Sequence, residues 1–399
     1  MSAPRTSTFP VFSTLMPQAP DALLMLIGMH RRDTRSTKLD LGVGVYRDAL
    51  GATPVMRAMR AAEARLLETQ TTKAYLGAEG DPRYTELLAS VALGSAAASS
   101  PRLTGVQTPG GTGALRLGAE LIGRARRNAQ IWIGAPTWPN HAPIFREAGL
   151  IVRVHPYYDV ASGTIDFGAI MTALEEAVPG DIVLLHGCCH NPTGADFDTD
   201  QWCTLAAFMA QRGLIPFIDL AYQGLGDGLD GDAAGARMLF EAVPEALLAY
   251  SCDKNFALYR ERVGALWVRS EHASTLPQVR DNILVLARSL WSMPPDHGAA
   301  AVRIILEDAA LRSDWLEELG GMRGRINDLR AAIVAAEPRL AFIARQRGLF
   351  AMLPIDKQAV VALREEHGIY MAESGRINVA GLTLSTIAPF VAALAPYLS

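Results

Sequence analysis

Six short apolar runs punctuate the middle of the chain: Gln130 to Ile133, Ile151 to Val154, Ile182 to Leu185, Leu214 to Ile218, Leu247 to Tyr250 and Val263 to Val268. Most are continuously apolar, the pattern of strands buried on both faces. Between them the apolar positions change to helical spacing. Trp202 is followed by Leu205, Ala206 and Met209 at i+3, i+4 and i+7. Asp198, with Gln201 three residues on, predicts a capping box at the start of that helix, and Gly213 predicts its end. Strands alternating with helices predict an α/β domain with a mostly parallel sheet flanked by helices. The C-terminal part reads differently. Met322, Ile326, Leu329 and Ile333 form a helical stripe, and a second helix over Val360 to Glu366 stops at Gly368 before a short strand, Ile369 to Met371. These predict a smaller α+β domain. The division expected is a large domain over 48–310 and a small one over 1–47 and 311–399. No internal repeat, low-complexity tract or long flexible linker interrupts the pattern.

A length of 399 residues agrees with two cores. Half of the residues are hydrophobic and a fifth are charged, as in ordinary soluble globular proteins. The net charge of −4 argues against non-specific nucleic-acid binding and offers no basic patch for a membrane. No apolar run approaches the ~20 residues needed to span a bilayer. The stretch Met1 to Pro10 has no apolar core of a secretory signal, so a cytoplasmic protein is expected. No pair among Cys188, Cys189, Cys203 and Cys252 has metal-ligand spacing, and reduced, buried thiols are expected.

The chemistry centres on Lys254, in Ser251-Cys-Asp-Lys-Asn-Phe256, with Arg262 eight residues later. A lysine just past a strand, with an arginine at that offset, suits pyridoxal 5′-phosphate (PLP). The lysine would hold the cofactor aldehyde as a Schiff base and the arginine its phosphate. A solvated surface lysine is the plain alternative. Such a cofactor also needs an acid at its pyridine nitrogen, a stacking aromatic, a phosphate cradle and a substrate anchor. Asp219 ends the apolar run Leu214 to Ile218, so it emerges at the carboxyl end of a strand, where α/β proteins bind ligands. It suits the nitrogen; capping the next helix is the alternative. Tyr222, three residues on, would reach the ring hydroxyl. Trp138, in a proline-flanked loop, would stack, or else pack on the core. His141 would stand behind Asp219, or lie on the surface.

The cradle begins at Thr108-Pro-Gly-Gly-Thr-Gly113, opening a helix from Ala114 onwards, where backbone N–H groups favour a phosphate. It is not a P-loop, since no Gly-Lys-Ser/Thr follows, and Arg116 stands where a dinucleotide fingerprint needs its third glycine. Ser251 and Arg262 would complete it. Asn191, in His190-Asn-Pro-Thr-Gly194, would donate to the ring hydroxyl. A zinc set of His186, Cys188, Cys189 and His190 has suitable ligand types, but adjacent cysteines do not readily share one tetrahedral ion, so no metal is expected. Substrate carboxylates call for arginines, which bind them through two parallel hydrogen bonds. Arg376 and Arg288 are the candidates, and each is also readable as a surface charge.

Together these segments resemble the aspartate and aromatic amino-acid aminotransferases, PLP enzymes of fold type I. The likeness runs from about residue 10 to the C-terminus. It is carried by Leu41-Gly-Val-Gly-Val-Tyr46, Thr72-Lys-Ala-Tyr75, Gln107-Thr-Pro-Gly-Gly-Thr-Gly-Ala-Leu115, Trp138-Pro-Asn-His141, His190-Asn-Pro-Thr-Gly194, Asp219-Leu-Ala-Tyr-Gln-Gly224, Lys254-Asn-Phe256, Glu261-Arg-Val-Gly264 and Ser374-Gly-Arg-Ile-Asn-Val-Ala-Gly381. The resemblance implies that Lys254 carries the cofactor and shifts the proton, with Asp219 at the pyridine nitrogen. Tyr222 and Asn191 would contact the ring oxygen, and Trp138 would stack. Gly111, Thr112, Ser251 and Arg262 would hold the phosphate. Arg376 would bind the substrate α-carboxylate, with Gly44 near it. The family's homodimers imply that Tyr75 reaches the phosphate in the partner's site and Arg288 the distal carboxylate of an acidic substrate.

Three departures from the family pattern bear on function. Asp253 stands where a serine is usual. An anion there would oppose a phosphate by up to ~3 kcal/mol at ~5 Å and an effective dielectric near 20, so Asp253 is expected to turn aside or pair with a cation. Leu290 and Met293 each replace an asparagine near Arg288, making that neighbourhood more apolar. Activity on aromatic as well as dicarboxylic amino acids, by a ping-pong reaction with 2-oxo acids such as 2-oxoglutarate, is therefore the expectation. A strict aspartate aminotransferase is the alternative. Other classes are a PLP lyase or decarboxylase, a non-catalytic PLP-binding regulatory module, for which no helix-turn-helix candidate fits before residue 40, and a dinucleotide-dependent oxidoreductase, weakened by the failed glycine fingerprint.

Overall fold

The computed structural model describes residues 11–18 and 22–398; the stretch Met1 to Pro10, read above for a secretory signal, lies outside them. The centre is a seven-stranded sheet. Its strands are β1 (Leu103–Pro109), β2 (Gln130–Ala135), β3 (Ile151–Pro156), β4 (Ile182–His186), β5 (Ile215–Leu220), β6 (Ala246–Ser251) and β7 (Val263–Arg269). They lie in the order β1-β7-β6-β5-β4-β2-β3. β7 runs antiparallel to both of its neighbours, β1 and β6, and the other pairs are parallel. The six apolar runs all form strands of this sheet. β1 was not expected, because Thr104, Gly105, Gln107 and Thr108 break up its apolar character. It is held by β7: Val106 is fully buried, and Gly105 lies so near the Trp267 indole that a Cβ would come within 2.2 Å of it. β3 corrects the expectation of two buried faces. It is an edge strand, and Ile151 and Val154 are exposed.

The helix Thr199–Arg212 begins with the expected capping box of Asp198 and Gln201 and ends at Gly213, whose φ of 63° suits glycine. It buries Trp202, Leu205, Ala206 and Met209. The glycine-rich segment differs from expectation. Its helix spans Gly110–Ala125, so Gly110 to Gly113 form the first turn rather than a preceding loop. Gly118 seats this helix on β5, since a Cβ there would come within 2.4 Å of the Phe217 ring. Among the cysteines all four are free thiols, but Cys203 is exposed rather than buried.

In the C-terminal part, the helix Ala309–Ala336 buries Met322, Ile326, Leu329 and Ile333 as the stripe predicts. The helix Lys357–His367 stops at Gly368 (φ 69°). The strand after it, Ile369–Tyr370, pairs in parallel with Leu39–Asp40. A second pair, Phe350–Met352 against Arg376–Asn378, is antiparallel and sets Arg376 opposite Met352. Asn378 Nδ2 donates to the carbonyls of Val43 and Val45, each at 2.7 Å, and so ties the loop around Gly44 to this strand.

Candidate active site

The strand register brings the site together. His186 pairs with Asp219 across β4 and β5, and Pro109, Val263 and Ser251 meet at the ends of β1, β7 and β6. All of these lie at one edge of the sheet, and a cleft of about 130 Å³ opens there. Gly111, Thr112, Trp138, Asn191, Asp219, Tyr222, Ser251, Lys254 and Arg262 line it, as the sequence reading expected. Gly44, Tyr75, Arg288 and Arg376 lie outside that lining.

Asp219 is buried, and its Oδ2 lies 3.1 Å from Nε2 of the fully buried His141. His141 Nδ1 is in turn 2.8 Å from Thr137 Oγ1, which fixes the ring. Burial acts to raise the Asp219 carboxyl, but the hydrogen bond from His141 and nearby positive charge, that of Lys254 included, hold it below its ordinary range. It is therefore an anion at neutral pH. The alternative role as a helix cap is overturned: the next helix starts only at Leu229. His186 also lines the cleft, and burial pushes its pKa down to about 3, so the ring is neutral. The sequence reading missed it as a cleft residue; its place at the end of β4, level with Asp219, was the signal.

Tyr222 is buried, and Asn191 Nδ2 lies 3.5 Å from its hydroxyl. Burial, and then the charge of Asp219, raise the phenol well above its ordinary value, so it stays a donor. Asn191 Oδ1 is buried with no partner, leaving polar capacity free in the cleft. Lys254 Nζ lies 5.2 Å from the centre of the Tyr222 ring and 3.7 Å from Asp253 Oδ2.

The glycines make room for a group at the helix start. Gly110 has φ 68°, and a Cβ there would come within 2.7 Å of Arg262 Nη2. A Cβ on Gly111 would sit 3.1 Å from Ser251 Cβ. No side chain caps this helix, so its first N–H groups are not claimed by a capping residue. Arg262 itself has φ 55°, a costly backbone for a residue with a Cβ, of the kind found at functional sites. Its Nη1 donates to Asp253 Oδ2 at 2.7 Å, so Asp253 does pair with a cation. The chain thus presents a cradle with an arginine, uncapped amides and two glycines, beside a lysine and a buried carboxylate. These residues fit a phosphorylated pyridine aldehyde.

Arg376 stands behind Tyr222. Its guanidinium carbon is 4.6 Å from the centre of the Phe350 ring, Nη2 donates to Gly42 O at 2.7 Å, and Nε has no partner. Burial lowers its pKa from the ordinary value, and Tyr222 acts in the opposite sense. Gly44 faces the same Phe350 ring, 2.7 Å from where its Cβ would be. Arg288, exposed in the last turn of the helix Leu276–Leu290, donates to Ser292 Oγ at 2.5 Å, and Tyr75 is 94% exposed. Neither reaches the cleft of its own chain.

Comparison with known proteins agrees with this geometry. The family model for aminotransferase class I and II matches residues 36–394. The sequence is 52% identical over 376 residues to the tyrosine aminotransferase of Rhizobium meliloti (strain 1021), covering 93% of this chain and 96% of that protein. It is 41% identical over 392 residues to the aspartate aminotransferase of Escherichia coli (strain K12), covering 96% and 99%. The fold is similar to the crystal structure of the aromatic-amino-acid aminotransferase from Burkholderia pseudomallei covalently bound to pyridoxal phosphate. The TM-score is 0.94 at 36% identity, over 98% of this chain and 100% of that one.

Proposed function

The chain belongs to the class I and II aminotransferases, and from that premise we propose that it transfers the amino group of both aromatic and dicarboxylic L-amino acids to 2-oxo acids such as 2-oxoglutarate. Tyrosine, phenylalanine, aspartate and glutamate are the donors. The observation that carries this reading is the placement of Lys254, Asp219 and the phosphate cradle around one cleft. In the site that Arg288 serves, Leu290 and Met293 make the surroundings of the arginine apolar, which suits an aromatic side chain as well as an acidic one.

Pyridoxal 5′-phosphate supplies an aldehyde that condenses with amines and a ring that accepts electrons from the substrate Cα. Lys254 would hold it through Nζ, and the same amine is the base placed to take the substrate Cα proton. Asp219 keeps a bound ring nitrogen protonated, with His141 fixing the carboxylate. Tyr222 and Asn191 would serve the ring oxygen, and Trp138 would stack on the ring. Gly111, Thr112, Ser251 and Arg262 hold the phosphate. Arg376 grips the substrate carboxylate, with Gly44 leaving Phe350 free to lie beside it.

The working unit in this reading is a cytoplasmic homodimer, in which Tyr75 and Arg288 of each copy serve the neighbouring site. The exposure of Tyr75 and the distance of Arg288 from its own cleft support that. Among the described residues no helix is long and apolar enough to cross a membrane. The domain division at 48–310, with 1–47 and 311–399 apart, is supported by the buried cluster that unites Leu41 with Leu329, Ile343, Leu363 and Phe390.

Two measurements test the specificity. Steady-state kinetics with 2-oxoglutarate are expected to show turnover of phenylalanine and tyrosine as well as aspartate; no turnover of either aromatic donor refutes the dual reading. Arg376→Lys keeps the charge but loses the planar two-point grip. It is expected to raise KM for every donor by at least about tenfold, the scale for losing one hydrogen bond to a charged group. An unchanged KM would remove Arg376 from the carboxylate site.

A further inference from the structure

Asp253 lines the cleft but has no part in the reaction as drawn above. Its side chain is 9% exposed, with Oδ2 2.7 Å from Arg262 Nη1 and 3.7 Å from Lys254 Nζ. Oδ1 is buried and has no partner. Arg262 Nη1 also donates to Tyr259 O at 3.1 Å, so that nitrogen is already committed within the chain. Nη2 lies along Gly110, against the helix start that forms the other wall of the cradle. Ser251 is drawn into the same group, since its Oγ accepts from the Asp253 amide at 3.2 Å.

A buried carboxylate thus sits among the groups that would receive a phosphate. Two anions then share one guanidinium, and each is repelled by the other at short range. With the cradle empty the balance is reversed, because Asp253 is the anion that lies between the Arg262 and Lys254 cations. We propose that Asp253 is a resident anion competing with the cofactor phosphate for Arg262, so that the chain holds that phosphate more weakly than the cradle alone would. This rests on the reading that Gly111, Thr112, Ser251 and Arg262 hold a phosphate. Removing the charge acts oppositely on the two states: it destabilises the empty chain and tightens phosphate binding.

The test uses the full-length chain, its cofactor first converted to the amine form with excess amino donor and then removed by dialysis, titrated calorimetrically with inorganic phosphate and, separately, with PLP. Asp253→Asn and Asp253→Ser are both expected to bind phosphate and PLP at least about tenfold more tightly than wild type. Both are expected to melt at a lower temperature than wild type when phosphate is absent. Two variants of different size, each checked by circular dichroism, guard against one that fails to fold. Equal or weaker phosphate binding by both overturns the proposal. Arg262→Gln separates the two levels of failure. If it binds phosphate as wild type does, the cradle reading falls and the proposal with it. If it loses phosphate while the Asp253 variants gain nothing, only the proposal falls.

Discussion

Lys254→Ala lowers kcat by at least about 10⁴-fold with every amino donor, the upper range for a positioned proton-transfer group. The size follows from the number of roles that meet at one nitrogen. Nζ holds the cofactor and, when displaced, stands where the substrate proton must go. No neighbour can take over. Tyr222 is buried and kept protonated, and Asp253 is engaged by Arg262. Asp219 is bound to His141. The apolar cores are built without Lys254, whose side chain is 17% exposed and whose amine lies 5.2 Å from the centre of the Tyr222 ring. The variant is therefore expected to fold and to retain cofactor through the phosphate cradle, which absorbance of the purified protein checks. A Lys254→Ala enzyme with kcat near wild type would end the whole account.

Asp219→Ala is expected to lower kcat by about 10²–10³-fold, the scale of losing one preorganised electrostatic group in a water-poor site. The carboxylate ends β5 at the floor of the cleft, held as an anion by His141. Its charge is what keeps a bound pyridine nitrogen protonated, so its loss weakens the electron-accepting ring when the Cα proton leaves. Alanine also strands the buried His141 ring without its partner, which adds a structural cost. Asp219→Asn separates the two effects, because it keeps volume and a hydrogen-bonding oxygen but not the charge. The account expects both variants to be slow, with KM changing far less than kcat. A fast asparagine variant would show that the negative charge at this position is not needed.

Much of this was legible in the sequence for physical reasons. Strands buried on both faces must be apolar throughout, so β2, β4, β5, β6 and β7 announced themselves, and polar residues at their ends marked the edge where a site forms. Asp219 was readable because it follows such a run directly, and Lys254 because it lies just past one. β1 was hidden because its partner β7 supplies the burial: Gly105 looks like a loop residue until Trp267 packs over it, and Thr108 until it pairs with Gly264. The Asp253–Arg262 bond was anticipated only as one of two outcomes, since a spacing of nine residues does not say which way a carboxylate turns. His186 was passed over because a histidine among cysteines reads first as a possible zinc ligand; its role at the cleft depends on the register between β4 and β5. Tyr75 came from family likeness alone, and the likeness alone placed Arg288 in the partner's site, because groups that serve a neighbouring copy leave no mark on the local pattern.

The most direct test of the central claim is a single turnover. The cofactor-loaded enzyme is mixed with aspartate, glutamate, phenylalanine or tyrosine, one at a time and with no 2-oxo acid present, and the absorbance of the bound cofactor is followed. The account expects rapid conversion to the amine form by acidic and aromatic donors alike. Conversion by aspartate and glutamate with none by phenylalanine or tyrosine would contradict it, leaving a strict aspartate aminotransferase in which Leu290 and Met293 only pack.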